Sequence, residues 1–252
     1  MKSVKVYGFG WVGKSVAKMF TNNSRELYIH DPIMGMTSDV VSDVAFVCVP
    51  TPAVNGKLDC SIVEEVVSNA KEELIVIRST VMPGTSDYLS KKYKKRIIFQ
   101  PEYLGETKNH PLLDQGERSF VILGGNPKDR KELIEIYHSV YNANISIRQV
   151  TAYEAEVIKL TENRAIAFKV AQCQELYDAC EAAGIDYYTI RDAVYGDDPR
   201  FNLWFTFVYP ENRGFNSSKC LSKDVPAWAA WAESVGITPE LTKGMLTYNN
   251  KF

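Results

Sequence analysis

The strand-like run VKVY leads straight into GFGWVG and then into KSVAKMF. That order of strand, glycine turn and helix restricts the fold more than any other feature of the chain. Gly8, Gly10 and Gly13 stand in GxGxxG spacing, and the first two permit a tight turn and close approach of a pyrophosphate to the backbone. A helix opening at this point aims its first amide N–H groups at the loop and favours negative charge there. Gly8, Gly10, Trp11, Val12 and Gly13 are therefore the candidate cofactor-binding segment; the alternative is a glycine turn that binds nothing. The second strand, ELYIHD, ends in Asp31, 18 residues past Gly13. A carboxylate there accepts from a ribose 2′-hydroxyl and repels a 2′-phosphate, so the expected cofactor is NAD, not NADP.

Seven short apolar runs recur through the first 150 residues: VKVYGFG, ELYIHD, VAFVCVP, LIVIRST, RIIFQP, SFVILGG and ISIRQV. Several are nearly continuous in Val and Ile, as in parallel strands covered on both faces, and helical patterns separate them. The expected class is α/β, a doubly wound Rossmann-type sheet over residues 1–150. Thr51, at the end of VCVPTP, and Ser79 and Thr80, in IRSTVMPGT, fall at the carboxyl ends of strands, where ligands of open parallel sheets lie. Turn chemistry explains each of these hydroxyls equally well.

From Thr151 to about Ala183 there is neither proline nor glycine, and the spacing predicts one long helix. Thr151 with Glu154 forms a capping box, and Gly184 supplies a stop. Such a helix spans about 50 Å, more than a small domain needs, and helices of that kind bridge domains or build dimers. Shorter helices are expected at about Tyr187–Tyr195, at about Ser222–Val235 with Ser222 as a cap, and from Thr238 with Pro239 at its first position. Residues 151–252 thus read as a helical domain.

Chemistry-bearing residues in this half are few. Lys159 and Asn163 are four apart on the long helix, hence on one face, where they polarise a substrate oxygen or form a solvated pair on an exposed stripe. Cys220 lies in the polar loop GFNSSKCLSKD, with Asp224 four residues on. A helix start there, with Lys219 and Lys223 nearby, favours the thiolate. Glu102 and Glu106, in QPEYLGE, bracket a loop after a strand and also read as ordinary surface acids.

In their order along the chain, GFGWVG, VCVPTP followed by NGKLDCS, IRSTVMPGTS, PEYLGE, AEVIKLTEN and CLSKD resemble the UDP-glucose/GDP-mannose dehydrogenase family. The resemblance implies oxidation of a nucleotide sugar at C6 from alcohol to carboxylate, with two NAD. It implies Cys220 as the nucleophile that passes through thiohemiacetal and thioester, and Lys159 with Asn163 as stabilisers of the oxyanion. It further implies Asp224 as the partner in proton transfer through water, and Glu102 in acid/base work during thioester hydrolysis. Thr51, Thr80 and Glu106 match positions near the nicotinamide, and the long helix matches one around which family members form homodimers. A further domain that supplies much of the nucleotide-sugar site in the family is not expected before Phe252. The glycine-rich approach to the cysteine is reduced here to Gly214, in ENRGFNSSKC.

Two other readings compete. One is a single-step dehydrogenase of the β-hydroxyacid type, which shares a Lys-xxx-Asn helix; its glycine-rich stretch before the lysine is absent, since SIRQVTAYEAEVIK precedes Lys159. The other is an NAD-binding homologue that regulates or pairs with a full-length enzyme and does not turn over. Composition excludes other classes. A formal charge of −2 gives no global positive field for nucleic acid or anionic lipid, and KKYKKR at Lys91–Arg96 reads as a solvated helix end. Five cysteines with no CxxC pair argue against a disulfide framework or a zinc site. No apolar run reaches signal-peptide or membrane-spanning length, so a cytoplasmic protein is expected.

Overall fold

The computed structural model describes residues 2–21, 26–105 and 118–252. Two compact units emerge, Met1–Val54 with Leu58–Lys159, and Asn55–Lys57 with Leu160–Phe252.

The first unit is built on strands β1 (Val4–Tyr7), β2 (Leu27–His30), β3 (Val44–Val47), β6 (Leu74–Ile77), β7 (Arg96–Phe99), β8 (Phe120–Gly125) and β9 (Ser146–Val150); β4 (Ala53–Val54) and β5 (Lys57–Leu58) form a small hairpin. The seven-stranded sheet has the order β2-β1-β3-β6-β7-β8-β9. All seven apolar runs of the sequence are these strands. The first five run parallel, β7 and β8 pair antiparallel, and β9 runs parallel to β8. That one reversal is where the sheet departs from the all-parallel expectation, and an antiparallel pair needs no crossover helix.

Helices α1 (Trp11–Thr21), α2 (Ser61–Asn69), α3 (Thr85–Tyr93) and α4 (Pro127–Tyr137) accompany the sheet. Alternate side chains of its strands enter two cores. Val44, Phe46, Leu74 and Val76 pack with Val16 and Phe20 of α1 and Leu133 and Tyr137 of α4. Ala45, Val47, Ile75 and Ile77 pack with Val63 and Val67 of α2 and Leu89 of α3. Burial on both faces is why these strands read as continuous apolar runs. Lys91 and Lys92 lie in the last turn of α3, where positive charge suits the helix dipole.

The long helix α5 is Ala152–Ala183. Its start is a complete capping box: Thr151 Oγ1 accepts from Glu154 N (3.2 Å), and Glu154 Oε2 accepts from Thr151 N (2.8 Å). At its end Gly184 has φ +70°, Ile185 N donates to Cys180 O (3.0 Å) and Gly184 N to Glu181 O (3.1 Å), a Schellman closure. The first turn of α5 lies directly on β8. A Cβ on Gly124 would stand 2.4 Å from Ala155 Cβ and 2.7 Å from Thr151 O, so only glycine fits there.

The second unit holds α6 (Tyr187–Arg191), α7 (Leu221–Ser234) and α8 (Glu240–Asn249). Ala167, Ala171, Phe215, Val225 and Met245 form one of its cores, and Cys173, Cys180, Tyr187, Tyr195 and Val208 the other. Helix α7 is capped two residues earlier than its sequence suggests. Ser218 Oγ accepts from Leu221 N (3.1 Å), so the helix opens at Leu221 with Cys220 at the N-cap position, and Ser222 is inside it. Pro239 precedes α8 as its cap and is not its first residue.

One buried acid couples this fold to pH. Glu156 of α5 accepts from Gly84 N (2.6 Å) and Ser86 N (2.8 Å) at the start of α3. Burial lifts its carboxyl from 4.5 to about 7, against the downward pull of those bonds. The folded chain therefore holds an extra proton between these values, and the stability that proton brings is lost as pH rises through that window. Glu156→Gln removes this component: its melting temperature, scanned from about pH 5 to about pH 8, should fall less with pH than that of the unmodified chain. Parallel curves would show that Glu156 does not titrate in the window.

Candidate functional site

The glycine turn sits where the order of the sheet reverses, since β1 has β2 on one side and β3 on the other. Loops after β1 and β3 part at such a point and leave room for a ligand. Gly8 has φ +85°, and a Cβ on it would lie 2.7 Å from Cys48 O. A Cβ on Gly13 would lie 1.9 Å from Gly8 O, because α1 crosses the turn in backbone contact. Gly10 differs from both, with nothing within 4 Å of its notional Cβ. Two glycines are thus required by the fold, whereas Gly10 lines open space at the N-terminus of α1, as close approach of a pyrophosphate requires.

Asp31 closes the other side of the turn. Its Oδ2 accepts from Phe9 N (2.7 Å) and its Oδ1 from Met34 N (3.2 Å). A carboxylate has about four acceptor positions, so these bonds fix its direction and leave capacity for a ribose hydroxyl. Trp11 is half exposed, and its Nε1 donates to Gly105 O (3.2 Å). Val12 and Gly13 lie in the first turn of α1. Thr51 is buried just past β3, and Ser79 Oγ donates to Val49 O (2.7 Å), joining the ends of β3 and β6 beside the partly buried Thr80. The residues present fit a dinucleotide at this edge. Glu106 lies outside the described residues.

Glu102, after β7, is buried and bonded on every side. Its Oε1 accepts from Tyr103 N (2.7 Å), Leu104 N (2.6 Å) and Arg118 Nη2 (2.5 Å), and its Oε2 from Arg78 Nη2. Burial raises its carboxyl, but the two guanidinium groups more than reverse this and hold it at about 2. Glu102 is therefore a permanent carboxylate with no proton to donate near neutral pH. Neither arginine was singled out in the sequence. The visible signal was Arg78 inside the apolar run LIVIRST, since a cation in a buried strand needs a partner.

Lys159 and Asn163 are both buried, at 6% and 5% exposure, which removes the reading of a solvated pair. The Lys159 ammonium stands 5.2 Å from the centre of the Tyr103 ring, and the Arg118 guanidinium 5.5 Å from the same ring. One turn further along α5, Asn163 Nδ2 donates to Asp224 Oδ2 (2.6 Å). Asp224 is fully buried in the first turn of α7, where Lys223 Nζ reaches its Oδ1 (2.6 Å). Cys220 is exposed, in no disulfide, and its carbonyl accepts from Asp224 N (2.9 Å). The second unit thus joins Asn163, Asp224 and the Cys220 backbone in one hydrogen-bonded line. No group of acidic, cysteine and histidine side chains able to hold a metal occurs among the described residues, and no described helix is long and apolar enough to cross a membrane.

A mostly parallel sheet with a glycine turn at its switch point defines a Rossmann-type dinucleotide-binding protein. The particular family follows from two matches. Residues 34–143 match the NAD binding domain of the UDP-glucose/GDP-mannose dehydrogenase family, and residues 153–251 match its central domain; the chain belongs to this family. Its cofactor is accordingly NAD. GDP-mannose 6-dehydrogenase of Pseudomonas aeruginosa is 29% identical over 230 residues, covering 83% of this chain and 51% of that protein. UDP-glucose 6-dehydrogenase TuaD of Bacillus subtilis is 25% identical over 245 residues, covering 90% and 51%. The chain spans about half the length of the curated relatives it matches. In fold it is similar to a UDP-glucose dehydrogenase from Pyrobaculum islandicum, with a TM-score of 0.84 at 21% identity over all of this chain and 68% of that one.

The glycines separate fold from ligand experimentally. Gly13→Ala should cost about 3 kcal/mol or more of stability in a denaturant titration, because the displaced atom is backbone. Gly10→Ala should stay within about 1 kcal/mol of the unmodified chain yet bind NAD more weakly by calorimetry. Equal stability losses in the two variants would contradict this division.

Proposed function

We propose that the chain carries out, or forms the catalytic part of an enzyme for, the NAD-dependent oxidation of a nucleotide sugar at C6 from alcohol to carboxylate. The observation that carries this reading is the buried Asn163–Asp224 bond, one helical turn after an exposed cysteine at the start of α7. Burying the Asp224 carboxylate carries a desolvation cost, offset by its bonds to Asn163 and Lys223, and the result is a fixed acceptor next to the cysteine. NAD, when bound, supplies the hydride acceptor for both oxidations.

In this reading the Cys220 thiolate adds to the carbonyl carbon at the aldehyde level and forms a thiohemiacetal. Lys159 and Asn163 stabilise the negative charge on its oxygen. Loss of a hydride from that carbon gives a thioester, and water then releases the carboxylate and the thiol. Asp224, oriented by its bond from Asn163, acts with an ordered water in the proton transfer. Gly8, Gly10, Trp11, Val12, Gly13 and Asp31 hold the adenosine and pyrophosphate half of the cofactor, and Thr51, Thr80 and Glu106 its nicotinamide half. Glu102 holds the loop after β7 as a carboxylate, and its part in the acid/base work of thioester hydrolysis is to accept a proton, since at about 2 it has none to give near neutral pH. We place the protein in the cytoplasm as a homodimer formed along α5. Light scattering should return twice the chain mass, and a monomer would remove the dimer from the proposal.

The deciding experiment supplies NAD and a panel of UDP- and GDP-sugars and counts NADH against acid formed. Two NADH per carboxylate are expected, and Cys220→Ser should cut carboxylate formation about a thousandfold while NAD binding persists. One NADH per substrate would point to a single-step dehydrogenase. NAD binding with no NADH from any sugar would leave a binding homologue.

A further inference from the structure

The loop that delivers Cys220 to α7 is tied to the last turn of α8 by one buried amide. Asn249, in the last turn of α8, is 2% exposed. Its Oδ1 accepts from Phe215 N (2.8 Å), its Nδ2 donates to Asn216 Oδ1 (2.6 Å), and its carbonyl accepts from Asn216 Nδ2 (3.3 Å). The chain approaches this knot through Gly214, with φ +68°, where a Cβ would lie 2.5 Å from Asn249 Oδ1. Glycine is needed there both for the backbone angle and for room. Phe215 then enters the core beside Val225 and Met245.

From this point the order passes along the backbone to the cysteine. Ser218 N donates to Phe215 O (3.1 Å), Ser218 Oγ accepts from Leu221 N (3.1 Å), and Ser222 N donates to Ser218 O (3.2 Å). Cys220 lies inside this last turn. On the upstream side Arg213 Nη2 donates to Asp178 Oδ1 (2.7 Å) on α5, which leaves little slack between the two anchors.

We propose that Asn249 is a positioning residue for Cys220: with Asn216 it clamps residues 214–216, and so sets where the thiol stands at the start of α7. The inference rests on the reading of Cys220 as the reacting thiol, but its test needs no turnover. Without the clamp the turn that opens α7 frays more readily, and the thiol loses the fixed position at the helix N-terminus that favours its thiolate.

The test is the rate of iodoacetamide alkylation of Cys220 across pH, read peptide by peptide by mass spectrometry on the full chain. In Asn249→Ala the rate at pH 7 should fall about threefold or more and the midpoint of the profile should rise. Buried Cys173 and Cys180 report folding in the same experiment, because they react only if the second unit opens. A wild-type Cys220 profile with both of them protected would overturn the proposal. Should Asn249→Ala expose them, Asn216→Ala decides, since it removes only the outer pair of bonds: a raised midpoint supports the clamp, and an unchanged one refutes it. Failure of every nucleotide sugar to yield NADH would defeat the proposed function and leave this result untouched.

Discussion

The Glu102 carboxylate is the interaction on which the first unit depends. It gathers Arg78 from the end of β6, Arg118 from the approach to β8, and two amides of its own loop. Those segments lie on either side of the place where the sheet reverses from parallel to antiparallel pairing. Desolvating three charges is costly, and the attraction within the cluster offsets that cost because each carboxylate oxygen takes a guanidinium. Removing one partner of such a cluster typically costs about 3–5 kcal/mol, because a charge is left buried without compensation. A loop secured in this way can carry Tyr103, whose ring faces the Lys159 ammonium, without being part of any regular element.

Most of the architecture was legible in the sequence because it depends on local signals. Seven apolar runs became seven strands, and the central ones, β1, β3 and β6, are buried on two faces and have no polar side to break the run. The ends of α5 were readable to within a residue, since Thr151, Glu154 and Gly184 cap through bonds to neighbours a few positions away. The reversal at β7–β8 was not readable, because apolar runs state that a strand is buried and not which way it runs.

The candidate site was legible in identity and not in environment. Spacing placed Lys159 and Asn163 on one helical face, but whether that face meets water depends on what is packed against it, and both proved to be buried. The start of α7 was misplaced because serine is a favoured cap wherever it occurs, and Ser218 took the free amide ahead of Ser222. Glu102 read as a surface acid because its two arginines come from 24 residues before it and 16 after. Asn249 gave no signal, since an asparagine near a helix end is ordinary and its partners lie more than 30 residues away.

Gly124 carries a consequence for Lys159 that distance along the chain conceals. Helix α5 rests its first turn on that glycine, with Ala155 over the place where a side chain would be. Lys159 follows Ala155 by four residues, so it projects from the same face one turn on. A larger residue on the strand would lift or rotate the helix, and the rotation would be passed undiminished to the lysine. The bearing of that ammonium group is thus set by a methyl group the facing strand does not have.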